Sequence, residues 1–167
     1  MPSYKLSYFD SRGMAEVSRQ LFHLSGTPFE DDRVDFEQWP DLKETMPFGQ
    51  LPVLEVDGVQ LPTSFAIARY LARQFGYAGK TPFEEAWVDA VADQYSDYHV
   101  ASIPFFSVLI GCTEGDKEKV SAEIGVPKRD AFFAQMEKIL ETASHHQKVQ
   151  SIPKIKEWLE KRPLSNC

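Results

Sequence analysis

Apolar and polar side chains alternate from Tyr4 to Phe9, with Tyr, Leu and Tyr set against Lys, Ser and Phe, which predicts a short strand. Asp10-Ser11-Arg12-Gly13 follows as a turn. Met14, Val17, Leu21 and Leu24 then recur at helical spacing until Gly26, a residue suited to closing a helix. Phe29 to Val34 predicts a second strand, and Trp39-Pro40 opens a short helical piece that ends before Pro47. Pro52 to Val56 and Val59 to Leu61 flank Asp57-Gly58, a strong hairpin signal because both turn positions need φ > 0. Ser64 is expected to cap a helix that places Phe65, Ala68, Leu71, Ala72 and Phe75 on one face and ends at Gly76. The order is β-α-β-α-β-β-α. A helix between two strands implies a parallel pair, and the hairpin adds antiparallel strands at an edge.

Beyond Tyr77-Ala78-Gly79-Lys80 the pattern turns wholly helical. From Pro82, a favourable first-turn residue, apolar positions recur at Phe83, Ala86, Trp87, Ala90, Val91, Tyr95, Tyr98 and Ala101. A second helix carries Phe132, Phe133, Met136, Ile139, Leu140 and Ala143, and a third, around Pro153, carries Ile155, Trp158 and Leu159 before Pro163. The chain therefore divides into an α/β domain over residues 1–77 and an all-α domain over residues 82–167, with no internal repeat.

Composition narrows what such a chain does. A hydrophobic content of 43% with 26% charged residues is that of an ordinary globular protein. A net charge of −7 opposes binding to nucleic acid, which needs a basic footprint, and to anionic membrane surfaces. The longest apolar stretch, Ile103 to Cys112, is interrupted by Pro104 and too short to span a bilayer, and the N-terminus shows no apolar signal region. Cys112 and Cys167 form neither a CxxC motif nor a disulfide framework, so two free thiols in a reducing cytosol are expected.

The densest chemistry lies in residues 47–64, where a turn, a proline-entered strand, a two-residue hairpin and a helix start follow one another. Such a run presents backbone groups beside Pro52 and N–H groups at Ser64, a combination suited to an extended anionic peptide. Pro52 opens its strand, where proline is allowed. A cis bond there would turn the backbone of Leu51 outward for pairing with a ligand, but the general preference of X–Pro bonds makes trans the expectation from the residues alone. Tyr8 ends the first strand, where ligands of open α/β sheets sit. Its hydroxyl there either donates to a bound thiolate or packs at a strand end. A thiol of pKa ~8.5 needs roughly 2.7 kcal/mol of preferential stabilisation to ionise two pH units lower. A charge-assisted hydrogen bond with a nearby helix N-terminus supplies most of that. Trp39 and Lys43 lie four apart and reach one ligand from one face, or simply pack with the amine extended to water. Glu85, Asp89, Asp93 and Asp97 repeat at i, i+4 down the fourth helix, facing either water or a cationic group. Ser96 stands where an adjacent carboxylate is wanted for a metal, so no metal is predicted.

Taken together, these positions resemble the cytosolic glutathione transferases, and within them the sigma-like class. The resemblance runs through Tyr-Lys-Leu-Ser-Tyr-Phe at 4–9, Arg-Gly-Met-Ala-Glu at 12–16, Trp-Pro-Asp-Leu-Lys at 39–43, Pro-Phe-Gly-Gln-Leu-Pro-Val-Leu at 47–54 and Ser-Phe-Ala-Ile-Ala-Arg-Tyr-Leu-Ala at 64–72. It continues through Val-Asp-Ala-Val-Ala-Asp at 88–93 and Ile-Pro-Lys-Ile-Lys-Glu-Trp-Leu-Glu-Lys-Arg-Pro at 152–163. It implies a thioredoxin-like N-terminal domain, a helical C-terminal domain and a cytosolic homodimer. Glutathione enters as co-substrate, with no other cofactor. By the same resemblance Tyr8 activates the thiol, while Trp39 and Lys43 hold the glycine end. Gln50 and Leu51 meet the tripeptide backbone beside a cis Pro52, and Ser64 takes the γ-glutamyl carboxylate with Thr63 beside it. Asp97 reaches the α-amino group of glutathione on the partner subunit. The electrophile pocket is expected between the domains, near Tyr98, Pro104 and Phe105.

Three departures from the family accompany this. Thr63 replaces a common Gln, and Met14 stands where some relatives have an Arg supporting the catalytic Tyr. Between Ala143 and Lys148 the chain passes through Ser144, His145, His146 and Gln147 directly into the final helix, where relatives carry a few tens of residues that include a buried helix. That absence predicts exposure of the apolar faces built from Trp87, Val91, Phe133 and Leu140. The expected activity is conjugation of the glutathione thiolate to hydrophobic electrophiles. The alternatives are a glutathione-dependent isomerase or peroxidase of lipid-derived substrates, or a non-catalytic relative of the lens-crystallin type. A thiol–disulfide oxidoreductase is set aside, because residues 10–16 contain no cysteine.

Overall fold

The central strand β1 (Tyr4–Phe9) is flanked on both sides, and that placement organises the first half of the molecule. A computed structural model of the chain describes residues 2–142. They form two compact units, one up to Glu84 and the other from Glu85.

In the first unit the four strands lie in the order β2-β1-β3-β4. β1 pairs in parallel with β2 (Glu30–Val34), with Tyr8 opposite Arg33, and antiparallel with β3 (Val53–Val56), with Ser7 opposite Val53. β3 pairs with β4 (Val59–Pro62) through the Asp57-Gly58 turn, whose residues have φ of 49° and 84° as the sequence required. Helix α1 (Glu16–Ser25) supplies the crossover between the parallel strands and ends on Gly26 in the left-handed conformation. Helix α3 (Ser64–Phe75) ends the same way on Gly76, with the Tyr77 N–H donating to Ala72 O at 2.7 Å.

Phe29, read from sequence as the first strand residue, instead stacks on Phe22 at 4.3 Å, and the strand begins at Glu30. Edge strand β2 is polar, and Lys5 reaches Glu30 and Asp32 at 3.3 and 3.4 Å, which blunts the edge against pairing with another chain. The core joins Leu6 and Leu54 of the sheet to Phe22 of α1 and to Ile67 and Leu71 of α3, all fully buried. Each such side chain contributes about 1.5–3 kcal/mol on burial.

The second unit is helical. Helix α4 (Pro82–Leu109) runs through Pro104, past the Ala101 at which its sequence pattern fades. The proline forfeits one ladder bond, yet buried Ser102 and Val108 on either side anchor the segment. Helix α5 (Lys117–Val120) is capped by Asp116, which accepts from the N–H groups of Glu118 and Lys119. A π-helical turn at Ser121–Gly125 leads into α6 (Val126–Thr142). In this unit Trp87 and Phe133 are 53% and 54% exposed, and Val91 is half-buried. Trp87, Val91, Met136 and Ile139 line an open groove of ≈ 330 Å³. The junction at residues 143–148, His145 and His146, and the helix expected around Pro153 lie outside the described residues.

Phe22 touches Tyr4, Phe29 and Phe75 with ring centroids 5.2, 4.3 and 5.5 Å away. Phe22→Ala is therefore expected to cost ~3–5 kcal/mol, a large share of a net stability of ~5–15 kcal/mol. Urea unfolding of the two proteins checks this; a loss under ~1 kcal/mol contradicts the core assignment.

Candidate functional site

Two turns meet at the end of β1. The first is Asp10–Met14. Its Ser11 N–H closes on Phe9 O at 2.6 Å, and it enters a single 3₁₀ turn at Gly13–Ala15. Gly13 has φ +37°, and a Cβ built there falls 2.5 Å from Tyr8 Oη and 2.9 Å from its Cε1. Only glycine lets the turn come this close to the ring. The approach allows the Met14 N–H to donate to Tyr8 Oη at 3.2 Å. Because the oxygen accepts that bond, the phenol proton is left to donate elsewhere, and acceptance strengthens the donor.

The second turn enters β3. Gly49 has φ +59°, Lys43 lays its side chain alongside it, and the Leu51–Pro52 peptide is cis. Leu51 precedes Val53, the first residue of both ladders, so its backbone groups belong to neither. Met14, Phe48, Gln50, Leu51, Pro52, Pro62, Thr63 and Ser64 line a pocket of ≈ 120 Å³. Five of these, Gln50, Leu51, Pro52, Thr63 and Ser64, are site residues read from sequence; Met14 joins the pocket to Tyr8.

At the far wall the sequence reading needs correction. Ser64 is the first helical residue of α3, not its cap. The cap position belongs to Thr63, at φ 73° and ψ 128°, and Thr63 makes no side-chain capping bond. A β-branched residue at positive φ is strained. It turns the chain so that Ser64 and the N-terminal end of a three-turn helix meet the pocket. That end carries partial positive charge and favours a carboxylate.

The remaining predicted residues are placed as follows. Trp39 is half-buried on α2 (Trp39–Leu42), its ring edge-on to Phe9 at 5.5 Å. Lys43 is exposed in the 3₁₀ turn after it, with its stem on Gly49. Asp97 is exposed on α4 in the second unit, as is Pro104. In that unit Tyr98 stacks on Phe132 at 4.8 Å, and the ring of Phe105 lies 2.9 Å from a Cβ built at Gly125. Among the described residues no group of three or more His, Cys, Asp and Glu is placed to hold a metal ion, and no helix is long and apolar enough to cross a membrane.

Two contributors had escaped the sequence reading. Gly13 read only as a turn residue; its partner Tyr8 lies five residues away on another element. Arg19 was not singled out from the sequence, yet it is wholly buried, with its guanidinium carbon 5.9 Å from the centroid of the Tyr8 ring. Its apolar helix neighbours and the later Asp31 were the available signal.

The arrangement is similar to that of known proteins. Residues 4–73 match the family model described as the glutathione S-transferase N-terminal domain. Glutathione S-transferase 1 of Ascaris suum is 56% identical over 140 residues, covering 84% of this chain and 68% of that protein. Probable glutathione S-transferase 5 of Caenorhabditis elegans is 41% identical over 205 aligned positions, covering 99% of both chains. That alignment is longer than the 167 residues here, so part of that relative has no counterpart in this chain. Among solved structures, the monomeric Na-GST-3 of Necator americanus superposes with a TM-score of 0.92 at 42% identity, covering 99% of this chain and 100% of that one. A Nu-class GST from Haemonchus contortus gives 0.88 at 42% identity over all of both chains.

Two glycine replacements separate backbone strain from crowding at Tyr8. Gly58 also has positive φ, 84°, but a Cβ there meets nothing within 4 Å. Both Gly13→Ala and Gly58→Ala are expected to lose ~1–3 kcal/mol through strain. Only Gly13→Ala should shift the Tyr8 ring resonances in NMR spectra. Unmoved Tyr8 signals in Gly13→Ala contradict the tight approach.

Proposed function

Because this chain belongs to the glutathione S-transferase family, we propose that its pocket binds glutathione and that Tyr8 stabilises the thiolate for attack on hydrophobic electrophiles. The observation that carries the proposal is the Met14 N–H bond to Tyr8 Oη, which commits the phenol oxygen as acceptor and leaves its proton for the ligand. The thiol proton departs to solvent before attack; a bond then forms between the glutathione sulfur and the electrophilic carbon, and in an aryl halide the carbon–halogen bond breaks as halide leaves with its electron pair. Stabilising sulfur's charge is the protein's contribution to that step.

The residues divide the tripeptide among them. The N-terminal end of α3, with Ser64 and Thr63, takes the γ-glutamyl carboxylate. The backbone of Leu51, which stands outside both ladders, pairs with the peptide beside Pro52, with Gln50 alongside. Lys43 and Trp39 hold the glycine end, the lysine as a point charge. Tyr98, Pro104 and Phe105 are retained as the side chains that receive the electrophile.

The class and the assembly belong to the same proposal. The motifs favour a sigma-like protein, but the full-length similarity to a Nu-class structure at 42% identity supports placement with the Nu class. A homodimer, in which Asp97 reaches the glutathione of the other subunit, is the assembly the proposal carries. The similar Na-GST-3 is described as monomeric, so resemblance alone does not deliver a dimer. A cytosolic location belongs to the same proposal.

One second reading has an observation behind it. The exposed Trp87 and Phe133, in a chain shorter than its aligned relative, favour a protein that binds glutathione without turning it over. Steady-state conjugation of an aryl halide separates the readings. Tyr8→Phe should lower kcat by about 10- to 100-fold with the KM for glutathione little changed, as for loss of one hydrogen bond to a charged group. Ser64→Ala should instead raise the KM for glutathione about tenfold. Conjugation unaltered by Tyr8→Phe contradicts the catalytic assignment, and glutathione binding with no conjugation by the unsubstituted protein selects the second reading.

A further inference from the structure

We propose that Arg19 is a positioning residue for the reaction, fixing and polarising Tyr8 through its ring without touching the substrate; this rests on the function proposed above. Arg19 sits on α1 with its side chain wholly out of water. Its Nε donates to Asp31 Oδ1 at 2.9 Å, and its Nη1 lies 3.7 Å from Glu16 Oε2. Nη1 also donates to the carbonyl oxygens of Ser11 and Arg12 at 2.8 and 3.3 Å. The last nitrogen, Nη2, is buried without a hydrogen-bond partner.

A buried cation costs free energy even when paired, and an apolar side chain of the same volume often serves stability as well or better. Stability alone therefore gives little reason for a guanidinium here. Its surroundings supply one. The guanidinium carbon lies 5.9 Å from the centre of the Tyr8 ring, inside the range at which a cation is attracted to an aromatic face. A positive charge against that face draws electron density from the phenol and makes its O–H a stronger donor. The Met14 N–H acts on the oxygen in the same direction.

The same side chain holds the opposite wall. The carbonyls it ties down belong to the two residues just before Gly13, whose missing Cβ admits the Tyr8 hydroxyl. Asp31 is fixed in turn by Arg33, which bonds it at 2.7 and 2.8 Å and reaches Asp10 at 3.0 Å. The run Asp10–Arg33–Asp31–Arg19 thus spans the polar edge strand and ends on the reacting tyrosine. Met14 contributes no charge from its side chain, and the guanidinium of Arg19 lies over that ring.

The test is a double-mutant cycle. Arg19→Met, Arg19→Lys and Asp31→Asn are each made in the unsubstituted protein and with Tyr8→Phe, then assayed for aryl-halide conjugation across pH. The ionisation of bound glutathione is followed by thiolate absorbance. Arg19→Met is expected to lower kcat/KM about tenfold near neutral pH. It should move the bound thiol's titration upward by about one pH unit, with the KM for glutathione changed less than about twofold. Arg19→Lys should recover part of the rate, since charge returns without the paired donors. With Tyr8→Phe present the same changes should cost less than about twofold, because they act through the phenol.

Equal losses in both backgrounds, or an unmoved thiol titration in a cooperatively folded Arg19→Met, overturn the proposal. Should Arg19→Met not fold, Asp31→Asn decides: it keeps the cation and loosens it, and its rate loss must be confined to the Tyr8 background. A bound thiol that titrates like free glutathione in the unsubstituted protein refutes the proposed function itself. A low titration that ignores Arg19 refutes only this inference.

Discussion

The contact between the end of the central strand and the first turn of the following helix sets what this molecule can do. Tyr8 Oη and the Met14 N–H come within 3.2 Å because Gly13 offers no side chain to keep them apart. Everything chemical about the site follows from that approach. With its oxygen occupied, the phenol is defined as a donor and given one direction in which to donate. The sheet provides the rigidity behind it, since β1 is paired on both sides and its Leu6 is buried between Phe22 and the α3 side chains. A strand at the sheet edge would leave the tyrosine free to swing, and the contact would not outlast thermal motion.

Across the pocket a different constraint supplies affinity. Gly49, Thr63 and Asp57 each turn the chain with positive φ within fifteen residues, and the ladder between β3 and β4 locks those turns relative to one another. The N-terminal end of α3 and the unladdered backbone of Leu51 therefore face one small pocket. Under the proposed function a negative ligand would meet oriented backbone groups there, in a protein whose net charge of −7 is otherwise unwelcoming to anions. On the proposed function, that local reversal is what would select a short acidic peptide.

Much of this was legible in the sequence where the signal is local. Asp57-Gly58 announced the hairpin, Gly26 and Gly76 the helix ends, and the alternation over Tyr4–Phe9 the strand that carries the tyrosine. Pro52 and Ser64 stood out because turn chemistry concentrates in one short run, while Gln50, Leu51 and Thr63 were named through the resemblance. What stayed hidden depends on partners far along the chain. The glycine at position 13 shows its necessity only once the ring of Tyr8 is in place, and Arg19 is buried only because Asp31 arrives from the next strand. Ser64 was misplaced by one position, because a Thr at positive φ is a poor guess from propensity and a Ser before an apolar run is a good one. The Asp116 cap and the π-helical turn went unread for a related reason. A four-residue helix has too little apolar periodicity to stand out from the polar segment Glu114–Lys119.

The helical unit presents the opposite balance of local and distant information. Its rings pack in pairs, Tyr98 on Phe132 and His99 on Phe106, yet Trp87 and Phe133 stay open to solvent beside a groove of ≈ 330 Å³. Exposed rings of that size are costly to hydrate, whereas the pocket at Ser64 is lined by residues of the first unit alone. This pocket, as built in the first unit, is proposed to bind glutathione. Thermal unfolding of the purified chain with and without the tripeptide tests it most directly. At a hundredfold excess over the dissociation constant a cooperative transition stabilised by ~2.7 kcal/mol is expected. A cooperative transition that glutathione leaves unmoved contradicts it.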